Sequence, residues 1–362
     1  MTEQPSDTSR AWVEIDLGAL RRNGAAIARH SGARLLPMVK ADAYGLGANA
    51  AVRALESLAP WGYGVATVGE GRTLRDAGVE RPIVVFTPLL PADFSATREA
   101  RLTPVLGYPE AITRWREVGG GAWHLGIDTG MARAGIRWDR VGDVAPLVAA
   151  SPPEGACTHF HTAVDAGSVR QQRERFASAI AALPVRPKLL HAENGAAVEH
   201  LDAPSALDLV RPGIFLYGVG SGHGARVVPE PVVQLRARVV EVRELRPGDA
   251  VSYDATWRAA EPRRIATLAI GYADGYRRAF SNRGVVLLNG ARAKVAGLVT
   301  MDMTMVDASD ARCAPGDVAT LIGGGGDDAL TVADVAERGE LSPYELLTGL
   351  RGRLPRLYRE AA

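Results

Sequence analysis

Between Arg34 and about Tyr217 the chain alternates short apolar runs with longer stretches in which apolar and polar positions mix. The short runs predict strands over 35–39, 63–67, 83–87, 102–106, 122–128, 155–161, 188–192 and 207–210. The longer stretches, 70–77 and 169–183 among them, predict amphipathic helices. Strands alternating with helices eight times favour a (β/α)8 barrel of parallel strands, with an open doubly wound sheet as the alternative. In a barrel, chemistry gathers at the C-terminal ends of the strands. Lys40, Asp128, His159, His191 and Arg211 all fall at or just past such ends.

From Val232 onward the period changes. Runs near 239–243, 264–270, 284–288, 294–299, 303–306 and 317–322 alternate apolar and polar residues, with turn residues between them. Short strands at that spacing predict an antiparallel β domain. The expected division is a barrel over 11–231 and a β domain over 232–362, with the first strand near 12–17 a candidate to pair with the second. Gly323 to Gly326 open no helix, so they are expected to form a turn and not a phosphate loop.

Composition narrows the class. The 362 residues are 47% hydrophobic and 23% charged, an ordinary globular balance. A formal net charge of +1 gives no bulk attraction to nucleic acid or acidic membranes. Cys157 and Cys313 form no metal or disulfide pattern and suit a reducing compartment; Cys157, inside a strand run, is expected to pack inertly. No run approaches a membrane span, and Met1 to Arg10 lacks the apolar core of a signal peptide. The expectation is a soluble cytoplasmic protein.

The apolar run ending in Val39 stops on Lys40, followed by Ala41-Asp42-Ala43-Tyr44-Gly45-Leu46-Gly47. A lysine at the lip of a buried strand is partly desolvated, which lowers its pKa and frees a nucleophilic amine. Tyr44 follows four residues later, and the glycines allow close backbone approach. The layout suits a lysine bonded to an aldehyde cofactor, with a phenol on the cofactor's phosphate. The plainer alternative is a lysine that snorkels from a strand end.

Further motifs follow in order: Ala11-Trp12-Val13-Glu14-Ile15-Asp16-Leu17, Gly126-Ile127-Asp128-Thr129-Gly130-Met131-Ala132-Arg133, Thr158-His159-Phe160, His191-Ala192-Glu193-Asn194, and Arg211-Pro212-Gly213-Ile214 through Tyr217. In the second half come Ser252-Tyr253-Asp254-Ala255-Thr256, Gly271-Tyr272-Ala273-Asp274-Gly275-Tyr276, Val299-Thr300-Met301-Asp302 and Arg353-Leu354-Pro355-Arg356-Leu357-Tyr358. Together they resemble the alanine racemases, pyridoxal-phosphate enzymes built from a barrel and a β domain.

The resemblance implies a racemase that interconverts L- and D-alanine with pyridoxal 5'-phosphate and supplies D-alanine for peptidoglycan. It implies that Lys40 holds the cofactor and Tyr44 its phosphate, aided by Asn194, Tyr217 and the N–H groups of Gly213 and Ile214. Arg133 reaches the cofactor's phenolic oxygen and the substrate, His159 stacks near the ring, and His191 lies beside Arg211 beneath it. Lys40 and Tyr253 serve as the two acid/base groups, Tyr253 entering from the other subunit of a homodimer. Met301 and Asp302 contact the substrate carboxylate, and Tyr276 stands at the substrate entrance.

Two of these assignments carry physical consequences. Arg211 at the pyridine nitrogen would keep that nitrogen unprotonated, because guanidinium is permanently charged and offers no acceptor. That weakens the cofactor as an electron sink and favours quick proton removal and return over transamination or decarboxylation. A phenol titrates near about 10 unless positive charge lowers it, so a tyrosine base needs cations close by, with His159 and Arg211 as candidates.

Four departures from the family pattern stand out. Gly126 replaces a carbon-dioxide-modified lysine that steadies the arginine, Gly195 a phosphate-binding serine, and Gly352 a tyrosine. Leu298 and Thr300 replace a frequent arginine and cysteine. At Gly126, an anion and then water are the expected substitutes for the lost acceptor, with salt-sensitive activity as the consequence. The rival readings are a pyridoxal-phosphate carrier barrel, which lacks the β domain; a barrel decarboxylase, which Arg211 argues against; and a racemase for serine or a larger amino acid, which the residues leave open.

Overall fold

The structure, a computed structural model, describes residues 9–360, so most of the Met1 to Arg10 reading lies outside the described residues. In the first half, strands Tyr63–Val65, Ile83–Val85, Thr103–Leu106, His124–Asp128, Gly155–Cys157 and Leu189–His191 form one parallel ladder. Leu209–Val210 pairs in parallel with Arg34–Leu35. Single bridges, Met38 to Gly64 and Asn194 to Arg211, tie that pair to the two ends of the ladder. The strands are buried almost throughout, as expected where helices cover a parallel sheet.

The helices between them carry their own signals. Thr67 and Glu70 form a capping box at the start of Val68–Asp76, Pro109 opens Pro109–Glu117, and the Asp165 side chain caps Ala166–Ala181. The ladder ends sooner than the apolar runs suggest. The run expected to reach 161 leaves the sheet after Cys157, and the run over 35–39 keeps only Leu35 and the Met38 bridge. Residues released at those ends line the cavity described below.

The second half is an eight-stranded, mostly antiparallel sheet. Its longest strand, Val233–Leu245, pairs with Val318–Ile322 along its first part and with Arg263–Leu268 along its second. A register shift between Val239 and Glu241 bends it from one partner to the other, the usual work of a β-bulge. Ala11–Asp16 belongs to this sheet, antiparallel to Val233–Leu245 and parallel to Arg356–Arg359.

Two helices in this half, Val332–Arg338 and Pro343–Thr348, were not legible as strands or turns. Each begins with a side-chain cap, from Thr331 and Ser342. The second helix backs onto the Lys40 segment: the Tyr344 and Tyr44 rings lie 6.0 Å apart. No helix among the described residues is long and apolar enough to cross a membrane.

Candidate active site

Past Val39 the backbone does something the sequence does not announce. Ala41, Asp42, Ala43 and Tyr44 run consecutively in the left-handed region, with φ from 51 to 58° and ψ from 33 to 52°. For L-residues such a turn costs about 1–2 kcal/mol per residue. Contacts from both halves hold it. Glu70 Oε1 accepts from the Ala41 N–H at 2.7 Å, and Asp42 Oδ1 accepts from the Ala48 N–H at 2.7 Å. From the far end of the chain, Arg356 Nη2 donates to the Gly45 carbonyl at 2.9 Å and the Tyr358 hydroxyl to the Leu46 carbonyl at 3.1 Å. Gly45, with φ of 86°, presses against the Leu347 carbonyl, which a Cβ would meet at 2.8 Å. Strain held in this way marks a site where side-chain placement matters more than local comfort.

Lys40 opens from that turn into a cavity of about 350 Å³ walled by Phe86, Tyr108, Asp128, Arg133, Thr158, His159 and Arg211. Burial, then Arg133, lowers the Lys40 pKa; Glu70 opposes them and Arg211 adds to the lowering. The expectation for a strand-end lysine is met by geometry. His159 is also in the wall, and burial, with Arg211 next, pushes it down to about 3. It is therefore neutral, which corrects its role as a cation for a tyrosine base; Arg211 and Arg133 are the positive groups here.

Arg211 is buried at the cavity floor. Its Nη2 donates to the carbonyls of Thr158 at 2.7 Å and Ala192 at 2.8 Å, and its Nη1 to His191 Nδ1 at 2.9 Å. The Phe86 ring lies 5.7 Å from the guanidinium carbon. Burial weakens its basicity, but guanidinium starts so high that it stays charged. His191, buried beside it, is driven well below the ordinary histidine range by burial and then by Arg211. It is neutral and accepts through Nδ1.

A second cluster sits next to Lys40. The N–H groups of Gly213 and Ile214 donate to no carbonyl or side chain among the described residues. The Tyr44 hydroxyl lies against Gly213, where any Cβ would strike it, and Gly195 faces the Gly213 nitrogen. Burial pushes the Tyr44 pKa up, so its proton stays on oxygen and can be donated. Glycine at 195 and 213 keeps this pocket open, and its free donors fit an anionic group.

Asn194 sits beside the pocket, but its Oδ1 accepts from the Ala197 N–H at 2.9 Å as a helix cap. Tyr217 lies one layer back: it is fully buried, its hydroxyl donates to the Met38 carbonyl at 2.9 Å, and its ring packs 4.8 Å from Tyr44. The expectation that Tyr217 contacts a cofactor is therefore corrected to one of positioning Tyr44.

Asp128 is spent on the backbone. Its Oδ1 accepts from the N–H groups of Gly130 and Met131, both at 2.9 Å, and shapes the loop that presents Arg133. Arg133 is exposed and forms no ion pair or hydrogen bond among the described residues. A Cβ at Gly126 would meet Val105 Cγ1 at 2.9 Å. Val105 thus crowds the backbone at 126, while Gly126, Val105 and Arg133 all line the same open cavity.

No residue beyond Arg211 lines the cavity. Tyr253 stands on the surface of the second half, 71% exposed, within a turn where Ser252, Asp254 and Ala255 have positive φ. Met301, 53% exposed, shares that half's surface, and Asp302 accepts from Arg353 Nη1 at 2.8 Å. Tyr276 departs from expectation: it is buried and stacked on Phe280 at 4.5 Å, a core residue and not one at an entrance. The tyrosine of that motif on the outer surface is Tyr272, whose N–H bonds the Thr300 carbonyl next to Met301.

Two residues escaped the sequence reading. Tyr272 was passed over for its neighbour. Glu70, which braces the lysine turn and also accepts from the Ala66 N–H at 2.7 Å, was signalled only by the Thr67-Val68-Gly69-Glu70 capping pattern.

The geometry can be set beside known proteins. Family models described as the alanine racemase N-terminal domain and alanine racemase C-terminal domain match residues 15–221 and 232–358. An alanine racemase of Deinococcus radiodurans is 39% identical over 356 residues, covering 96% of this chain and 98% of the relative. The crystal structure of alanine racemase from D-cycloserine-producing Streptomyces lavendulae superposes with a TM-score of 0.91 at 30% identity, covering 99% of each chain. That of Bartonella henselae, with covalently bound pyridoxal phosphate, gives 0.89 at 28%, covering 97% of this chain and 100% of the other. With both halves matched in order and over nearly their whole length, this chain belongs to the alanine racemase family.

Proposed function

We propose that the protein interconverts L- and D-alanine with pyridoxal phosphate, using one acid/base group on each face of the substrate's α-carbon. The observation that carries this reading is the meeting, around one cavity, of a pKa-lowered lysine, a buried arginine and a donor-lined pocket. Those residues fit the cofactor. Lys40 would bond its aldehyde carbon, Tyr44 with the Gly213 and Ile214 N–H groups would take its phosphate, and Arg211 would face its ring nitrogen. When bound, pyridoxal phosphate supplies a conjugated ring that acidifies the substrate's α-proton.

The protein then has four tasks. Lys40 takes or returns the proton on one face, helped by surroundings that favour its neutral amine. Arg211, already holding three protein acceptors, would keep positive charge at the ring nitrogen and offer it no proton acceptor. Arg133 orients the substrate from the cavity wall. Tyr253 serves the opposite face, reaching it from a second copy of the chain; its exposure and the absence of second-half residues from the cavity support this arrangement. In such a homodimer Met301 and Asp302 would approach the substrate carboxylate from the partner. We also read the parallel ladder, closed through its two bridges, as a (β/α)8 barrel, and the D-alanine formed as a precursor for peptidoglycan in the cytoplasm.

Chiral analysis of a panel of amino acids incubated with the cofactor-loaded protein tests the reading. Racemisation of alanine from either enantiomer is expected, and faster turnover of serine or a larger amino acid would displace alanine as the substrate. The pKa direction at Lys40 makes a separate prediction. Because its pKa is lowered, the reactive neutral amine gains population at lower pH than for an ordinary lysine. The rate of cofactor reattachment should rise with pH and level off below the ordinary lysine range. A midpoint at or above the value of a free lysine side chain would contradict the assigned environment.

Gly213→Ala tests the phosphate pocket, since the new methyl would displace the Tyr44 hydroxyl. Losing a charge-assisted hydrogen bond should weaken cofactor affinity by about tenfold or more. Absorbance titration measures it, and an unchanged affinity would remove Tyr44 and Gly213 from the phosphate site.

A further inference from the structure

The Arg211–His191 pair does not end at His191. His191 Nε2 lies 2.8 Å from Nδ1 of His124, which is buried at the opposite end of its own strand, His124–Asp128. Hydrogen-bond chemistry fixes the direction of the chain. Arginine only donates, so His191 Nδ1 must accept and its single proton must sit on Nε2. His124 Nδ1 must then accept, which puts the His124 proton on Nε2. That nitrogen has no hydrogen-bond partner, and the Glu154 carboxylate stands 3.9 Å away. The row Arg211, His191, His124, Glu154 thus crosses the parallel half from the cavity floor towards its far end.

The place of His124 is shaped for an imidazole. A Cβ at Gly155 would lie 2.9 Å from three atoms of the His124 ring, so only glycine lets the ring lie there. Trp61 flanks the ring at 5.6 Å, and His191 meets it edge-on at 4.9 Å. Burial lowers the His124 pKa first; Glu154 opposes this, and Arg211 adds to the lowering. Both imidazoles are therefore neutral, and each has one tautomer compatible with its neighbours.

We propose that His124 is a positioning residue for Arg211: by accepting from His191 Nε2–H it holds the His191 ring at the angle from which Nδ1 accepts from the guanidinium. This rests on the reading of Arg211 as the cofactor's ring partner, but the ring placement itself does not. Arg211 fixes the tautomer and His124 fixes the orientation. Without an acceptor at 124, the His191 Nε2 proton is buried and unpaired, and turning the ring relieves that cost, so the guanidinium would lose one of its three protein acceptors.

Nitrogen NMR of the full-length, cofactor-loaded protein labelled at histidine tests this, with a His191→Asn sample assigning the signals. The wild type should show a protonated Nε2 and a bare Nδ1 at His191. His124→Leu should leave the proton on Nε2 but move the His191 Nδ1 signal towards that of an acceptor without its donor, move the visible absorbance of the bound cofactor, and lower kcat by about tenfold. His124→Asn, whose side-chain oxygen can stand where Nδ1 stood, should restore most of all three. An unchanged His191 Nδ1 signal in His124→Leu would overturn the proposal, as would an Asn variant no better than Leu. If His124→Leu does not fold, Gly155→Ala, which pushes the ring from its place, must produce the same Nδ1 shift or the proposal fails. An Nδ1 shift with no change in cofactor absorbance would uphold the positioning of Arg211 and count instead against Arg211 as the ring partner.

Discussion

Lys40→Ala is expected to lose covalent cofactor attachment and to lower alanine racemisation by at least about 10³-fold, the scale of removing a nucleophile and a general base together. The fold should survive. Lys40 is half-buried, its side chain has no hydrogen bond or ion pair among the described residues, and the strained turn after it is held by Glu70, Asp42, Arg356 and Tyr358. Reduction with borohydride followed by peptide mass analysis should find the cofactor on the Lys40 peptide of the wild type and nowhere in the variant. A variant that keeps its attached cofactor through dialysis and turns over normally would end the assignment.

Tyr253→Phe separates chemistry from stability. At 71% exposure the side chain contributes little to the fold of one chain, and exposed substitutions usually stay within about 0.5 kcal/mol. Activity should nevertheless fall by about 10²–10⁴-fold, the usual contribution of a positioned acid/base group. The loss should depend on direction, because in the proposed two-base scheme the phenol would serve one enantiomer as base and the other as acid. Deuterium exchange from each enantiomer measures that asymmetry. Mixing Lys40→Ala and Tyr253→Ala chains tests whether the two groups come from different copies: exchanged dimers contain one intact site and should regain part of the activity. If the mixture stays inactive although the chains exchange, the shared site is wrong.

Much of the frame was legible in the sequence because it is written in local periods. Apolar runs placed every strand of the parallel ladder to within a few residues, and the change of period at Val232 separated parallel from antiparallel pairing. Lys40 and Arg211 could be placed at strand ends by the same logic. Tyr276 and Tyr272 show where such reasoning stops: four residues apart in one motif, one is stacked in the core on Phe280 and the other faces solvent. Nothing in their local sequence orders them, because burial depends on what the rest of the β half packs against that turn.

The sequence alone determined which residue types stand at the strand ends, since period and side-chain chemistry are properties of the chain itself. The tertiary structure decided which of them meet and how. The left-handed turn after Lys40 persists only because groups from both ends of the chain bond to it, against its local cost. The hydroxyl of Tyr217 is committed to Met38 across the fold, 179 positions away. His124 and His191, separated by 67 positions, share a hydrogen bond only because the two strands flanking Gly155–Cys157 bring their rings within 2.8 Å. Hydrogen bonds reach about 3 Å in space whatever the separation along the chain, so their partners are settled by folding and not by spacing.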